Sequence, residues 1–416
     1  MPEMPILLTG MRIRHAERTD VGRVREHNED HSLADPDLRL FVVADGMGGR
    51  AAGEVASQLA VAAVRDHVTQ GRAILDAFAR GGGATATDVA QLLTQSAIAA
   101  TQRVFAAAQE EETRRGMGTT LTTLLLAGDR AFVAHVGDSR AALLRGGRAY
   151  QLTRDHSLID ELILSGHITR EESRSPELDR LRCVLARAVG VSNEVAVDVL
   201  DLEILPGDQF LLCSDGLCQY VQGEEIAALL SGGIEAAADR LVEMACERGG
   251  HDNITVVAVR LESSHPADAE RLRLFDRKAT ALATIPMFRD LSPHEHMHVA
   301  LAAETIEAAP GTILVREDQP VPALFILLEG RIRLAREGSP GGEVGPGGWF
   351  GDASLVDRWV SAPTALAVEP ARLVRVTRDS LVAVSRREPE IASKVVSGFA
   401  RSAAERLRPL PARAPR

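Results

Sequence analysis

Over residues 19–261 the apolar positions fall into two alternating regimes. Dense short runs, LRLFVVAD, TTLTTLLLAGDR, AFVAHVGDSRAALLR, DQFLLCSDG and NITVVAVRL, have the length and the β-branched and leucine content of buried strands. Between residues 53 and 109 the period becomes helical: Val55, Leu59, Ala63 and His67 share one face, and Val89, Leu92, Leu93, Ser96 and Ala100 share another. Two helices bracketed by strands predict an α+β fold in which helices pack on stacked sheets. Residues 154–182 are polar and helical in pattern, which suits either a mobile flap or a pair of surface helices.

The texture changes at LESSHPADAERLRLFDRK, where a Ser-Ser-His-Pro turn ends the last strand and a charged helical stretch leads on to Phe288. Beyond it the chain is rich in Gly and Pro, with short strands such as ALFILLEGRIRLA and ARLVRVT and then a helical tail, the pattern of a small β-barrel or jelly roll. We therefore expect a first domain over residues 1–262, a helical connector over 263–281, a second domain over 282–406 and a disordered tail over 407–416.

Composition narrows the class. A chain of 416 residues exceeds one ordinary core, and 45% hydrophobic with 25% charged residues excludes wholesale disorder. No apolar run approaches the ~18 residues of a membrane-spanning helix. MPEMPILLTG has no basic n-region and too short an apolar stretch for an export signal, so a cytoplasmic protein with no membrane partner is expected. The net charge of -11 argues against nucleic acid as a partner, and the whole acidic excess lies in the first 262 residues. That excess is either a solvated surface or, in part, acids gathered around cations. Cys183, Cys213, Cys218 and Cys246 show no CxxC spacing and no histidine at zinc-finger distance, and read as ordinary thiols.

The stretch FVVADGMGGRAAGEVAS carries the first candidate chemistry. A buried strand ending at Asp45 is costly unless the carboxylate has a partner; taken alone, Asp45-Gly46 also suits a plain turn. Asp138 in HVGDSR, Asp215 in LLCSDG and Asp252 in GGHDNITVV recur at the ends of apolar strands, and strands of stacked sheets end along a common edge. Converging carboxylates repel unless cations neutralise them, and oxygen-only ligands select Mg²⁺ or Mn²⁺. Gly46 leaves its carbonyl free to face such an ion, and Gly48 and Gly49 let the chain pass close by. In VREHNED, Arg25 precedes Glu29 and Asp30, a guanidinium suited to phosphate beside two acids; a local surface salt bridge is the plainer alternative.

Taken in order, VRxxNED, VADGMGG, GMGTTLT, HVGDSR, CSDGL and DNITVV resemble the metal-dependent (PPM, or type 2C) serine/threonine protein phosphatases, in particular their bacterial branch, over residues 19–261. The resemblance implies an αββα sandwich of two antiparallel sheets flanked by helices. It also implies hydrolysis of phosphoserine and phosphothreonine by a hydroxide shared between two Mn²⁺ or Mg²⁺ ions. Asp45 would bridge the ions, Asp215 and Asp252 would complete one site and the Gly46 carbonyl the other. Asp138 would help hold a third ion, Glu29 and Asp30 would anchor water, and Arg25 would clamp the phosphate. Met47 stands where many eukaryotic members have a histidine proposed as proton donor; His156 and His251 are the candidates to replace it, neither compelling. His294, His296 and His298 lack partners for a metal site and read as an exposed helix face. The expected partners are phosphorylated proteins, including a serine/threonine kinase or its substrates. The alternative is a non-catalytic phosphoprotein-binding regulator on the same fold.

From about residue 282 to 406 the chain resembles, more weakly, the cyclic nucleotide-binding domain family through IPMFRDLS, AAPGTILVREDQ, FILLEGRIRLA and GPGGWFGDASLV. Gly347, Gly348 and Gly351 fit the tight turns of that fold. That family's cassette reads FGE and then Pro-Arg-Ala. Here Asp352 replaces the glutamate and an ungapped alignment puts Ser361 at the arginine, with Arg358 the nearest cation. The domain is therefore expected to be degenerate, without cyclic nucleotide as its ligand, and regulatory.

Overall fold

The computed structural model describes residues 11–48, 52–169, 171–182, 184–263, 266–317, 319, 323–336, 339–357 and 363–407. It forms two compact units, Met1–Ala269 and Glu270–Arg416, with the boundary inside the charged helix Pro266–Thr284. Gly49, Cys183, Arg358, Ser361 and the tail after Leu407 lie outside the described residues.

The first unit contains β1 (Arg12–Asp20), β2 (Asp30–Asp35), β3 (Leu40–Met47), β4 (Gly118–Thr119), β5 (Leu121–Ala127), β6 (Arg130–Val136), β7 (Arg140–Arg145), β8 (Arg148–Gln151), β9 (Asp198–Glu203), β10 (Gln209–Cys213) and β11 (Ile254–Glu262). One antiparallel sheet has the order β1-β11-β10-β7-β8, and the other runs β2-β3-β5-β6-β9 with β4 paired to the end of β3. Strand periodicity sorts the core into layers. Leu40, Val42 and Ala44 of β3 face the helices Ala52–Gln70 and Ala86–Glu110, whereas Phe41 and Val43, of opposite parity, are fully buried on the other face. His15 of the other sheet lies against Phe41, with ring centroids 5.9 Å apart. Leu211, Cys213, Val256 and Ala258 face outward onto the helices Gly223–Gly232 and Ile234–Glu247. The result is the expected αββα sandwich.

The structure revises two local expectations and narrows a third. The buried stripe of helix Ala52–Gln70 runs through Ala56, Ala60, Val61, Val64 and Val68, with Val55 and Leu59 only partly covered at its edge. Small side chains let the helix approach the sheet closely, so alanines rather than the larger residues take the central line. AFVAHVGDSRAALLR is two strands in different sheets, β6 and β7, with the crossing at Gly137-Asp138-Ser139. Within residues 154–182 the helix Leu158–Leu164 follows a buried His156 and Ser157, so that segment is rooted in the core.

The second unit has β12 (Glu304–Ala308), β13 (Ile313–Val315), β14 (Ala323–Glu329), β15 (Ile332–Arg336), β16 (Ser339–Val344), β17 (Trp349–Phe350), β18 (Thr364–Ala367) and β19 (Ala371–Thr377). They form four-stranded sheets of order β12-β19-β14-β17 and β13-β18-β15-β16 around Val315, Phe325, Leu327, Ile332, Phe350 and Leu373. Helices Arg378–Arg387 and Pro389–Leu407 follow, giving a jelly-roll-like unit with C-terminal helices. The histidine face is not exposed as expected: His298 is buried and His296 half-buried, on a helix, Pro293–Ala302, that packs against helix Arg378–Arg387; the His294 side chain lies outside what the structure describes. Among the described residues no helix is long and apolar enough to cross a membrane.

Candidate active site

β3 does not stop at its acid. It continues through Gly46 and Met47, which pair with Thr119 and Gly118, while Asp30 of β2 stands directly opposite Asp45. The alternation that buries Phe41 and Val43 between the sheets puts Asp45 on that same face. Its backbone is gripped on both sides: its N–H donates to Thr120 Oγ1 at 2.9 Å, and its carbonyl accepts from the Thr120 N–H at 2.8 Å and from Thr119 Oγ1 at 2.9 Å. The Thr120 hydroxyl is also 2.7 Å from that of Ser139, which ties GMGTTLT to the sheet crossing that carries Asp138. Gly137 is needed there, since its φ is +110° and a Cβ would stand 2.6 Å from the Thr120 side chain.

Asp215 opens a one-turn helix, Asp215–Cys218, preceded by Ser214, whose side chain makes no capping bond to it. The Ser214 hydroxyl donates to Asp30 Oδ2 at 2.8 Å and accepts from the Thr255 N–H at 2.9 Å, so Asp30 and Asp215 are held by neighbouring residues. Asp252 precedes β11 and accepts from Arg25 Nη2 at 2.7 Å. Asn253 secures the Arg25 loop: its Oδ1 accepts from the Glu29 N–H at 2.8 Å, and its Nδ2 donates to the carbonyls of Val21 and His27 at 3.0 and 2.9 Å. The Glu29 carbonyl accepts from the Gly46 N–H at 3.1 Å and the Ser57 hydroxyl at 2.7 Å. A Cβ on Gly46 would lie 2.1 Å from the Gly53 carbonyl oxygen, so this glycine is demanded first by the helix start packed against it.

Electrostatically the site is strained. Burial, then the charges of Asp30, Asp215, Asp138 and Asp252, hold the Asp45 carboxyl well above the usual range. Burial pushes Asp30 up to about 7, with Asp215 and Asp252 adding to it against the bonds from Thr255 and Ser214. Asp138 is pushed to about 7 by burial and by Asp215 and Asp155, and Asp215 is raised by burial and by Asp252. Burial raises Glu29 against the pull of Arg25. Asp30 Oδ1 and Asp215 Oδ1 are buried with no hydrogen-bond partner. Among the described residues no three acids already stand close enough to one point to hold an ion. Even so, an all-oxygen donor set with two orphaned carboxylate oxygens and mutual repulsion fits hard divalent cations.

The two histidines considered as proton donors are otherwise engaged. His156 is fully buried; its Nδ1 accepts from the Gly137 N–H at 3.2 Å and its Nε2 lies 3.1 Å from Asp198. The ring of His251 bonds to the Tyr220 hydroxyl. Thr120, Ser139, Ser214 and Asn253 were not singled out from sequence, although each lies inside a motif string and is a polar residue at the edge of an apolar strand. In the second unit Gly351, with φ +85°, would place a Cβ 2.4 Å from the Ala323 carbonyl oxygen, and Asp352 opens the helix Asp352–Val356. A cavity of ≈ 320 Å³ lies against the C-terminal helices, lined by Leu355, Leu381, Val382, Val395 and Val396 among others.

Comparisons with known proteins agree with this geometry. The family model described as protein phosphatase 2C matches residues 23–249, and that of the cyclic nucleotide-binding domain matches residues 305–388. The chain is 42% identical over 247 residues to the serine/threonine protein phosphatase PstP of Mycobacterium tuberculosis, a match covering 59% of this chain and only 44% of that relative. It is 37% identical over 251 residues to the serine/threonine phosphatase stp of Listeria welshimeri, covering 59% of this chain and 95% of the relative. The crystal structure of the PstP catalytic domain in complex with two manganese ions superposes with a TM-score of 0.51 at 37% identity, over 60% of this chain and 99% of that one.

Proposed function

Because the chain belongs to the protein phosphatase 2C family, we propose that its first unit is a metal-dependent protein phosphatase acting on phosphoserine and phosphothreonine. The observation that carries this reading is the convergence of a buried Asp30 with the partly buried Asp45, Asp138 and Asp215, each held above its ordinary protonation range at the junction of the two sheets. Such an arrangement is unfavourable for a fold with no use for it and suits one that binds cations. Asp45, Asp215 and Asp252 with the Gly46 carbonyl would hold two ions and Asp138 a third, while Glu29 and Asp30 would orient water. The two manganese ions in the PstP catalytic domain support a pair of divalent cations, Mn²⁺ or Mg²⁺, here. When bound, the cations would acidify water and offset charge on the phosphoryl oxygens.

This chain's own groups do the rest. Arg25, half-exposed beside Asp252, swings to the substrate phosphate and offers two parallel N–H donors. Thr119, Thr120 and Ser139 keep Asp45 from shifting. With both His156 nitrogens engaged, the His251 ring on Tyr220 and Met47 unable to donate, neither candidate histidine is free to protonate the leaving alkoxide, and water supplies that proton. The substrates are phosphorylated proteins, including those of an opposing kinase, met in the cytoplasm. The second unit is regulatory, and the departures at Asp352 and Ser361 leave cyclic nucleotide without its charged anchor.

The test is hydrolysis of p-nitrophenyl phosphate and a phosphothreonine peptide with Mn²⁺, abolished by EDTA and by Asp45→Asn. Protein that is inert with Mn²⁺ from neutral to alkaline pH yet retains phosphoprotein binding would establish the non-catalytic alternative. Isothermal titration should detect no cyclic AMP or cyclic GMP binding tighter than ~10 μM.

A further inference from the structure

The helical turn that presents Asp215 is bracketed by two thiols with no part in the chemistry above. Cys213 Sγ and Cys218 Sγ lie 3.2 Å apart, and neither is in a disulfide. We propose that CSDGLC is a vicinal dithiol modification site: it closes to a Cys213–Cys218 disulfide with a peroxide, or forms two As–S bonds to a trivalent arsenical oxide, whose oxygen leaves as water with the two thiol protons, and closure displaces Asp215 and lowers activity. The effect on activity rests on the phosphatase reading; the thiol chemistry does not.

The two sulfurs differ in access and in freedom. Cys213 is 3% exposed and sits in the middle of its sheet, paired with Arg140 on one side and Val256 on the other. Cys218 is only partly buried, at the last residue of the short helix. A peroxide therefore meets Cys218 first. Its sulfur attacks one peroxide oxygen, the O–O bond breaks, and a sulfenic acid and one water result. The Cys213 sulfur then attacks the Cys218 sulfur, the S–O bond breaks, and a second water leaves with the Cys213 proton. Two thiols and one peroxide thus yield one disulfide and two waters. The Arg140 residue paired with Cys213 is itself fixed, its guanidinium bonded to Asp155 at 2.8 and 2.6 Å, so the strand side of the thiol pair is held in place.

Closing the contact from 3.2 Å to a bond of about 2.05 Å requires roughly 1 Å of movement. The strand holding Cys213 is fixed by two neighbours, so the movement falls on the turn Asp215–Cys218. That turn has no slack at its other end: a Cβ on Gly216 would stand 2.1 Å from the Asn253 carbonyl oxygen, next to Asp252. A shift there moves Asp215 against Asp45 and Asp252, and misplacement by about 1 Å can cost a reaction two orders of magnitude.

The experiment treats reduced full-length protein with hydrogen peroxide, alkylates it, and reads intact mass and the tryptic peptide that contains both cysteines. The expected result is a loss of about 2 Da, confined to that peptide and reversed by dithiothreitol. Phenylarsine oxide should protect the same two thiols from alkylation. The Mn²⁺-dependent rate should fall about tenfold or more on oxidation and recover on reduction, while Cys218→Ser keeps the basal rate and is insensitive to both reagents. Full alkylation of Cys213 and Cys218 after peroxide, or oxidation centred on Cys183 or Cys246, overturns the site. A disulfide that forms with no change in rate overturns the displacement of Asp215. Reduced protein without any turnover would instead refute the phosphatase reading, with the mass measurement still deciding the thiol pair.

Discussion

Asp30→Asn should stabilise the metal-free protein at neutral and alkaline pH and have little effect in acid. Asp30 lies opposite Asp45 across β2 and β3, is buried, and has Oδ1 unpartnered. Its proton is held from an ordinary value of 3.8 up to about 7. The folded state therefore binds more protons than the unfolded state across this window, and stability must fall as pH rises through it, with the full loss reached above about pH 7. At 1.36 kcal/mol for each pH unit of that difference, the loss is about 4 kcal/mol at most, shared with Asp45 because the two titrate together. Asparagine keeps the oxygen that accepts from Ser214 and replaces the unpartnered oxygen with an N–H₂ that can donate to Asp45. We expect the variant and parent to match below about pH 4, the gap to open from there upward, and the variant to lead by about 1–3 kcal/mol at pH 8. Urea unfolding in EDTA, followed by far-ultraviolet circular dichroism, measures this; tryptophan fluorescence would not, since Trp349 and Trp359 both belong to the second unit. A difference that is flat with pH, or a variant less stable at pH 8, would refute the reasoning. Addition of Mn²⁺ should reverse the order, because the variant lacks one of the acids that the ions offset.

Three further outcomes are expected. Asp208→Ala strands the buried Arg145 guanidinium, now bonded to Asp208 at 2.7 and 2.5 Å, and should cost about 3–5 kcal/mol in the first unit's unfolding transition; the double change Arg145→Met with Asp208→Leu should recover most of it. Gly46→Ala drives a methyl to within 2.1 Å of the Gly53 carbonyl oxygen and should destabilise by about 1–3 kcal/mol while depressing turnover, whereas an unchanged Tm would show that the helix start can yield. Arg25→Lys should raise KM for a phosphopeptide about tenfold or more with a smaller change in kcat, as expected when a two-pronged phosphate contact becomes a point charge; an equal fall in kcat with constant KM would remove Arg25 from substrate binding.

Much of the site could be read from the string of residues because its physical signatures are local. An acid after a run of strand-formers, a glycine at each close approach and a motif order without gaps are visible in one dimension, as are the strand and helix periods behind the αββα layers. Other features depend on which surfaces meet. AFVAHVGDSRAALLR reads as one continuous strand, and only the stacking of two sheets requires the chain to cross at Asp138. His298 looks like part of a polar face until tertiary packing buries it, and His156 looks free until Asp198, distant in sequence, takes its second nitrogen. Arg25 and Asp252 were legible as separate functional candidates, but their ion pair, across more than two hundred residues, was not. Cys213 and Cys218 have spacing that means nothing in an extended chain; a strand end followed by one helical turn brings their sulfurs into contact. Local sequence thus determined the elements and the chemical types of the site, because propensity, period and charge act over a few residues. Tertiary packing decided which acids face one another, which histidines are occupied and which thiols touch, because those depend on distances that only the folded sheets set.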